Sequence, residues 1–422
     1  MTAIVSGTAS TNAAGAPDAA CTGAATSWRI DEALVQRHAA LRAVPAAAAA
    51  PAGLRVVTYN IHSGLGQTHA LRRSREHVEA NLRAIATDIA AASPIDVVAL
   101  NEVDFDSRRS AGIDEAAFVA GELMRLTGDR YQIVRGETWR RDFPGMRVRF
   151  GNALLSRLPI VDAASCLLRD DGAGDDSCAG ARPAADLPSL KVSGLRGWFT
   201  EQRGIIKASV DTGSGIVDVL VTHLDPFAAA TRETQALHIL RRFIDPERTT
   251  VLLGDLNAVS TELTTTRRFF GGDRTLDVLT SETLSDVRIA YAAERGLDSL
   301  NHWPTYPAAA PIWPLDAVLA SGNLSAREIR VLGTTASDHR GLLAHLQPPS
   351  IDDAAMHHAR LDLLRRAQLD RIVRCDIAGD VREGHPRRWL VASTGFRMLV
   401  EAVSDAAAAK AATPVAASGA AF

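Results

Sequence analysis

Acids, amides and histidines recur at one kind of place in this sequence, beside the end of a short apolar run. Asn60 follows VVTY, Glu102 follows VVALN, His223 follows VLVT, and Asp255 and Asn257 follow VLLG. Asp338 and His339 precede GLLAHL, and Asp316 leads AVLAS, where the others trail their runs. An ionised carboxylate removed from water costs several kcal/mol unless it meets a partner or a metal. Carboxylates gathered at strand ends are therefore costly unless a cation sits among them.

Hydrolysis of a phosphate ester needs such a set. A hard cation such as Mg2+ or Mn2+ takes carboxylate and amide oxygens and keeps several waters. It polarises phosphoryl oxygens and stabilises the leaving oxygen. A carboxylate must orient or deprotonate water, while His or Asn donates to the charge that develops. Glu102, Asp255 and Asp338 supply negative charge, and Asn60, Asn257, His223 and His339 supply donors. One Asp in GDLNA is commonly just a turn residue, but six incidental placements make a poor account.

The elements that must position these residues are legible as periodicities. LRVVTYNIH combines β-branched residues with alternation and predicts a strand. Val78, Leu82, Ile85 and Ile89 are spaced three and four apart and predict a helix. DVVALNEVD is a short buried-strand run, a helix is expected over residues 115–126, and helical spacing returns over residues 231–244. Further strands are expected at NALLSRLPI, GIIKASV, IVDVLVTHL, TTVLLGDLN, PLDAVLAS and GLLAHL. Many strands with a few helices imply two packed sheets with helices outside. The polar residues 162–200 read as an insertion or long loop, and no internal repeat is found.

The blocks TYNIH, ALNEVD, GNALLSRLPI, EQRG, VTHLD, GDLNA, LDAVLAS and SDH, in this order, resemble the endonuclease/exonuclease/phosphatase superfamily. That superfamily includes deoxyribonuclease I, exonuclease III-like repair nucleases, sphingomyelinases and inositol polyphosphate 5-phosphatases. The resemblance covers about residues 54–347. It implies an α+β fold, a four-layer α/β/β/α sandwich of deoxyribonuclease I type. The chain then divides into an Ala-rich leader (1–52), a catalytic domain (53–348) and a helical, partly disordered C-terminal extension (349–422).

Carried across, the resemblance implies that Glu102 is the principal metal ligand, supported by Asn60, which also faces substrate. It implies that Asp255 positions the attacking water, with Asn257 its partner at the phosphate. His223 resembles a histidine that contacts a non-bridging oxygen or the leaving group, and Asp338 an aspartate near a second metal. His339 resembles the catalytic histidine, as base or as imidazolium, and Asp316 the carboxylate that fixes its tautomer. Arg203 in EQRG is expected either to clamp phosphate or to form a salt bridge at a strand start. His62 either lines the site or caps the strand turn. Two departures stand out: Asn101 where Gln often precedes the Glu, and Ala317 where Tyr is common.

The hydrolase expected is a phosphodiesterase acting on nucleic acid or a phospholipid head group. The alternatives are a phosphatase of inositol, sugar or nucleotide monoesters, and a binding protein that keeps the fold without turnover. Net charge is −3, so any polyanion must be drawn by a local patch. Residues 125–149 carry seven Arg with Trp139 and Phe143, which suits a nucleic-acid backbone or a phosphoinositide, and equally a solvated connection with local ion pairs. Arg72, Arg73 and Arg75 add a second cluster. Only three of the 46 basic residues are Lys, which reads as genome composition.

The four cysteines form no CxxC pair, which excludes zinc ribbons and thioredoxin-type motifs. Cys166 and Cys178 flank RDDGAGDD, which a disulfide could close. With no export signal visible, two free thiols and a soluble, cytoplasmic chain are expected. No 18-residue apolar run predicts a membrane span. Residues 351–374 are Arg-rich and loosely helical, and residues 389–403 form an interrupted apolar segment suited to packing on the main domain, to a partner, or to a membrane surface. Oligomeric state is not legible.

Overall fold

Val78, Leu82, Ile85 and Ile89 all lie buried along one face of helix α1 (Arg75–Ala90), started by Ser74, whose side chain accepts from the His77 amide. Helix α2 (Glu115–Thr127) begins at an Asp114 cap and ends at Gly128 in the left-handed conformation that glycine adopts without cost. These helices and everything below come from a computed structural model, which describes residues 53–67, 74–143, 146–168, 178–180, 202–259, 273–297 and 300–348. The leader, the C-terminal extension, Arg72, Arg73 and most of residues 162–200 lie outside the described residues.

Two sheets form the centre. The first contains β1 (Leu54–Asn60), β2 (Val97–Asp104), β3 (Gln132–Phe143), β4 (Met146–Ser156), β12 (Ser325–Val331) and β13 (Leu342–Gln347), in the order β12-β13-β1-β2-β4-β3. The second contains β5 (Ile160–Leu167), β6 (Cys178–Gly180), β7 (Gly204–Asp211), β8 (Ile216–His223), β9 (Thr250–Asp255), β10 (Leu284–Asp286) and β11 (Asp316–Ser321). Its order is β10-β11-β9-β8-β7-β5-β6. Helices α3 (Ala229–Arg242), α4 (Thr275–Leu279) and α5 (Val287–Glu294) follow strands of this second sheet.

Alternation along each strand sorts the side chains into layers. Val56, Val97 and Ala99 share one apolar cluster with Val219, Val221, Val251, Leu253, Val318 and Ala320, the seam between the sheets. Val57, Tyr59, Val98 and Leu100 cluster instead with Val78, Leu82, Ile85 and Leu123 of α1 and α2. Leu220, Leu252, Ala317 and Leu319 cluster with Ala236 and Ile239 of α3 and with Leu276 and Leu279 of α4. This is the α/β/β/α sandwich. Ala317 lies in the outer, helix-facing cluster, so its small side chain alters that layer and leaves the seam untouched.

Polar residues, most of them singled out from the sequence, continue the inner alternation. Thr58 and Asn60 follow Leu54 and Val56, Asn101 follows Val97 and Ala99, His223 follows Val219 and Val221, and Asp255 follows Val251 and Leu253. Strand β1 is parallel to β2, and β8 to β9, so each pair ends at one rim of its sheet. β11 runs antiparallel to β9 with Asp316 opposite Asp255, so the start of β11 reaches the same rim as the end of β9. The reversed position of Asp316 in the sequence is therefore a consequence of strand direction.

Several expectations need correction. Cys166 is disulfide-bonded, not a free thiol, and its partner in the β5/β6 register is Cys178. The segment NALLSRLPI is not one strand, because β4 ends at Ser156 and β5 begins at Ile160. β5 also extends into the polar segment read as an insertion. Residues 125–149 form the end of α2 and the long β3/β4 hairpin. Four of their seven arginines form the local ion pairs that were one of the alternatives for this stretch: Arg125 with Glu122, Arg135 with Asp114, Arg140 with Glu137 and Arg147 with Asp106. Among the described residues no helix is long and apolar enough to cross a membrane.

Candidate active site

The site begins with a fault in a strand. The β2/β4 register shifts between Leu100 and Val103, and Glu102 takes a left-handed backbone with φ +56°. A bulge of this kind turns one side chain away from the alternating pattern. His62, Ser63 and Asn257, all at the same rim, also have positive φ, at 47°, 49° and 49°. Each such non-glycine residue costs about 1–3 kcal/mol, and such strain concentrates where geometry serves function. The Ser63 hydroxyl donates to the Glu102 carbonyl at 3.2 Å and accepts from Arg109 Nη2 at 2.9 Å. Arg109 is in turn held by Asp104, so the bulge is braced from behind.

Asn60 bridges the two sheets. Its Nδ2 donates to Glu102 Oε1 at 2.9 Å and to Asp255 Oδ2 at 3.1 Å, while its Oδ1 accepts from the His62 amide at 3.0 Å. It thus faces both carboxylates as a donor. Asp255 follows Gly254, where a Cβ would overlap the Thr222 carbonyl of β8, so only glycine permits this approach. Asn257 turns back so that its amide donates to Asp255 Oδ1 at 3.0 Å.

Three side chains converge on Asp255 Oδ2. Besides Asn60, His223 Nε2 and His339 Nε2 each stand 3.5 Å from that oxygen. The two histidines differ in charge. His223 is buried and its pKa is driven well below the usual value, first by desolvation and then by the charges of Arg203 and His339. Its ring is neutral. Arg203 Nη1 lies 3.0 Å from His223 Nδ1, and a guanidinium can only donate, so Nδ1 accepts and Nε2 carries the proton. The Asn257 Nδ2 group, which donates to the Leu224 carbonyl at 3.1 Å, lies 3.0 Å from that nitrogen.

His339 behaves oppositely. Burial disfavours its charge, but the Asp316 and Asp255 carboxylates outweigh burial and raise its pKa to about 10. Nδ1 donates to Asp316 Oδ2 at 2.8 Å. Asp255 itself is raised to about 6, mainly by burial, opposed by His339 and reinforced by Asp316. Asp338 is also raised by burial, with His339 and His62 opposing. His62 Nδ1 lies 2.7 Å from the Gly66 carbonyl and 3.6 Å from Asp338 Oδ1, so this histidine both lines the rim and ties its turn.

The sequence-derived set is thus brought together at one rim: Asn60, Glu102, His223, Asp255, Asn257, Asp316, Asp338 and His339. Arg203 is buried with its guanidinium against the His223 ring. Asp255, Asp316 and His339 place ligand atoms within 4.8 Å of one another and could hold a metal. Glu102 is linked to Asp255 through Asn60, the charge of Asp338 acts on His339, and Asp316 Oδ1 is buried without a hydrogen-bond partner. An imidazolium His339 held by Asp316 cannot ligate, so the oxygens of Glu102 and Asp338, near enough for the charge of Glu102 to raise the Asp338 pKa, are the donors that fit a divalent cation.

Two participants escaped the sequence reading. Tyr306 packs its ring 4.7 Å from that of His339 and lies nearly parallel to Trp313, with centroids 5.8 Å apart. Its pKa is raised by burial and then by Asp338, Asp255 and Glu102, which places the phenol among the site acids. The signal was available in WPTYP and PIWP, aromatics set between prolines just ahead of Asp316. Asn101, noted only as a departure, proves to be fully buried between the sheets.

Among solved structures, the chain is similar to an endonuclease/exonuclease/phosphatase from Beutenbergia cavernae DSM 12333, at 22% identity and TM-score 0.45, covering 71% of this chain and 72% of that one. A family protein from Leptotrichia buccalis C-1013-b is 16% identical with TM-score 0.47, covering 69% and 99%. A mannosyl-6-phosphatase from Bacteroides thetaiotaomicron VPI-5482 is 14% identical with TM-score 0.42, covering 69% and 99%. No curated protein matches the sequence. The family described as Endonuclease/Exonuclease/phosphatase matches residues 57–339, more than half of the chain. The chain therefore belongs to the endonuclease/exonuclease/phosphatase family, whose members are generally phosphoester hydrolases dependent on a divalent metal.

Proposed function

We propose that this chain is a Mg2+- or Mn2+-dependent phosphodiesterase, hydrolysing a diester of the nucleic-acid or phospholipid head-group type with an attacking water. The observation that carries the reading is the charge balance of the cleft. Glu102, Asp255, Asp316 and Asp338 are carboxylates, against the imidazolium of His339 and the guanidinium of Arg203. A phosphate would add negative charge to that excess, so a cation is required. Glu102 and Asp338 would hold it, with Asn60 keeping Glu102 and Asp255 in place. When bound, the cation would polarise the phosphoryl oxygens and stabilise the leaving oxygen.

The chain's own groups supply the rest. Asp255 Oδ2, the atom that Asn60, His223 and His339 all face, orients the water and takes its proton. The neutral His223 donates through Nε2–H, and Asn257 through Nδ2, to one phosphoryl oxygen. His339, held by Asp316, donates as an imidazolium. A monoester carries a second negative charge into the same acidic cleft, which favours the diester. The disulfide at Cys166 supports an oxidising compartment in place of the cytoplasmic default.

Hydrolysis of bis-p-nitrophenyl phosphate against p-nitrophenyl phosphate, with Mg2+ or Mn2+, tests this. A higher kcat/KM for the diester is expected. Preference for the monoester would make the chain a phosphatase, and turnover of neither would leave a binding protein with this fold. A panel of nucleic acids and phospholipids then separates the two diester classes.

A further inference from the structure

Asn101 has no exposed surface and sits on the inner face of β2, directly before the bulged Glu102. Its Nδ2 donates to Asn152 Oδ1 of β4 at 2.9 Å and to the Thr222 carbonyl of β8 at 3.0 Å. Its Oδ1 accepts from the Asp255 amide of β9 at 3.0 Å. Both amide hydrogens and the oxygen are thus engaged, across both sheets. The groups it holds are peptide units next to reactive side chains: the Thr222 carbonyl belongs to the peptide that leads into His223, and the Asp255 amide to Asp255 itself. Its own peptide leads into Glu102.

We propose that Asn101 is a positioning residue that fixes the two sheets in register at the site, setting Glu102, His223 and Asp255 relative to one another. Apolar packing along the seam is tolerant of small slides, because dispersion contacts are non-directional. Three short hydrogen bonds from one buried amide are not. Misplacement of a reacting group by about 1 Å can cost roughly 100-fold in rate. The proposal rests on the phosphodiesterase reading for its kinetic arm, and on cation binding alone for its second arm.

The test compares Asn101→Leu with Val219→Ala, a cavity in the same seam away from the rim. At a temperature where all are folded, N101L should lose about 100-fold in kcat on bis-p-nitrophenyl phosphate with KM within threefold, while V219A keeps wild-type kcat. Calorimetric titration with Mn2+ should show binding at least tenfold weaker in N101L and unchanged in V219A. If N101L fails to fold, Asn101→Ser, which leaves room for a water, carries both measurements with losses of at least tenfold. Wild-type kcat per folded molecule and wild-type Mn2+ affinity in the Asn101 variants would overturn the proposal. A wild-type protein without turnover would sink the phosphodiesterase reading instead, with the Mn2+ titration still deciding the role of Asn101.

Discussion

Asp255 and Asp316 are register partners on antiparallel neighbouring strands, and the ring of His339 spans them, with Nδ1 2.8 Å from Asp316 and Nε2 3.5 Å from Asp255. Two acids that would repel across a ladder are thereby joined by one imidazolium. Replacing Asp316 with Asn removes the negative charge that holds this ring as an imidazolium and lets an amide NH2 face Nδ1 in its place. Turnover should fall by about 100-fold or more, with the fold kept. Asp255→Ala and His339→Ala should each cut turnover by orders of magnitude. Steady-state kinetics alongside circular dichroism checks this, and near-normal activity in any of the three contradicts the assignment.

The pH profile follows from the same pair. Asp255 must be ionised to take a proton, and with its pKa raised to about 6 activity should fall as pH drops through that value. His339 must be charged to donate, and with its pKa raised to about 10 activity should fall as pH rises through that value. A bound cation favours ionised Asp255, so saturating Mg2+ should move the acid limb lower than subsaturating Mg2+ does. A kcat profile flat from pH 4.5 to 8 at low Mg2+ contradicts this assignment of Asp255.

Glu115 predicts a stability effect away from catalysis. It is fully buried at the start of α2, and burial, with Asp104 as a further cause, raises its pKa well above the usual range. A carboxyl whose folded pKa is raised costs nothing while protonated in both states. It becomes destabilising as pH rises above the ordinary value for the unfolded chain. Glu115→Gln should therefore raise Tm at pH 7–8 and leave it unchanged near pH 4. Thermal melts at the two pH values check the sign, and a lower Tm for E115Q at pH 8 contradicts it.

The Cys166 disulfide gives a covalent prediction. Non-reducing peptide mapping should find Cys166 joined to Cys178, its register partner on β6. Reduction should lower stability by about 2–4 kcal/mol, the usual range for such a link. Recovery of a free Cys166 thiol from the oxidised protein would contradict the structure.

How much of this was legible beforehand can be traced residue by residue. The inner strands β1, β2, β8, β9 and β11 announce themselves because both their faces are apolar, and Asp255 and Asp316 fall where the alternation carries them, whereas Glu102 owes its direction to the bulge and Asp338 to the loop before β13. β3 and β12 were hidden because they are edge strands, where charged residues such as Arg135, Arg140, Arg327 and Glu328 face outward and break the apolar pattern. The free-thiol expectation failed because it was drawn from the N-terminus, whereas pairing depends on the β5/β6 register. Arg203 and Tyr306 depended on tertiary neighbours, His223 and His339, far from each in the sequence.

The central claim is that these strand-end acids hold a catalytic cation. Turnover of bis-p-nitrophenyl phosphate by the full chain, measured in EDTA and after adding back Mg2+ or Mn2+, tests it most directly. Activity should vanish in chelator and return with either ion, and Glu102→Ala should need far more of the ion for half-maximal rate. Undiminished turnover in EDTA would contradict the account.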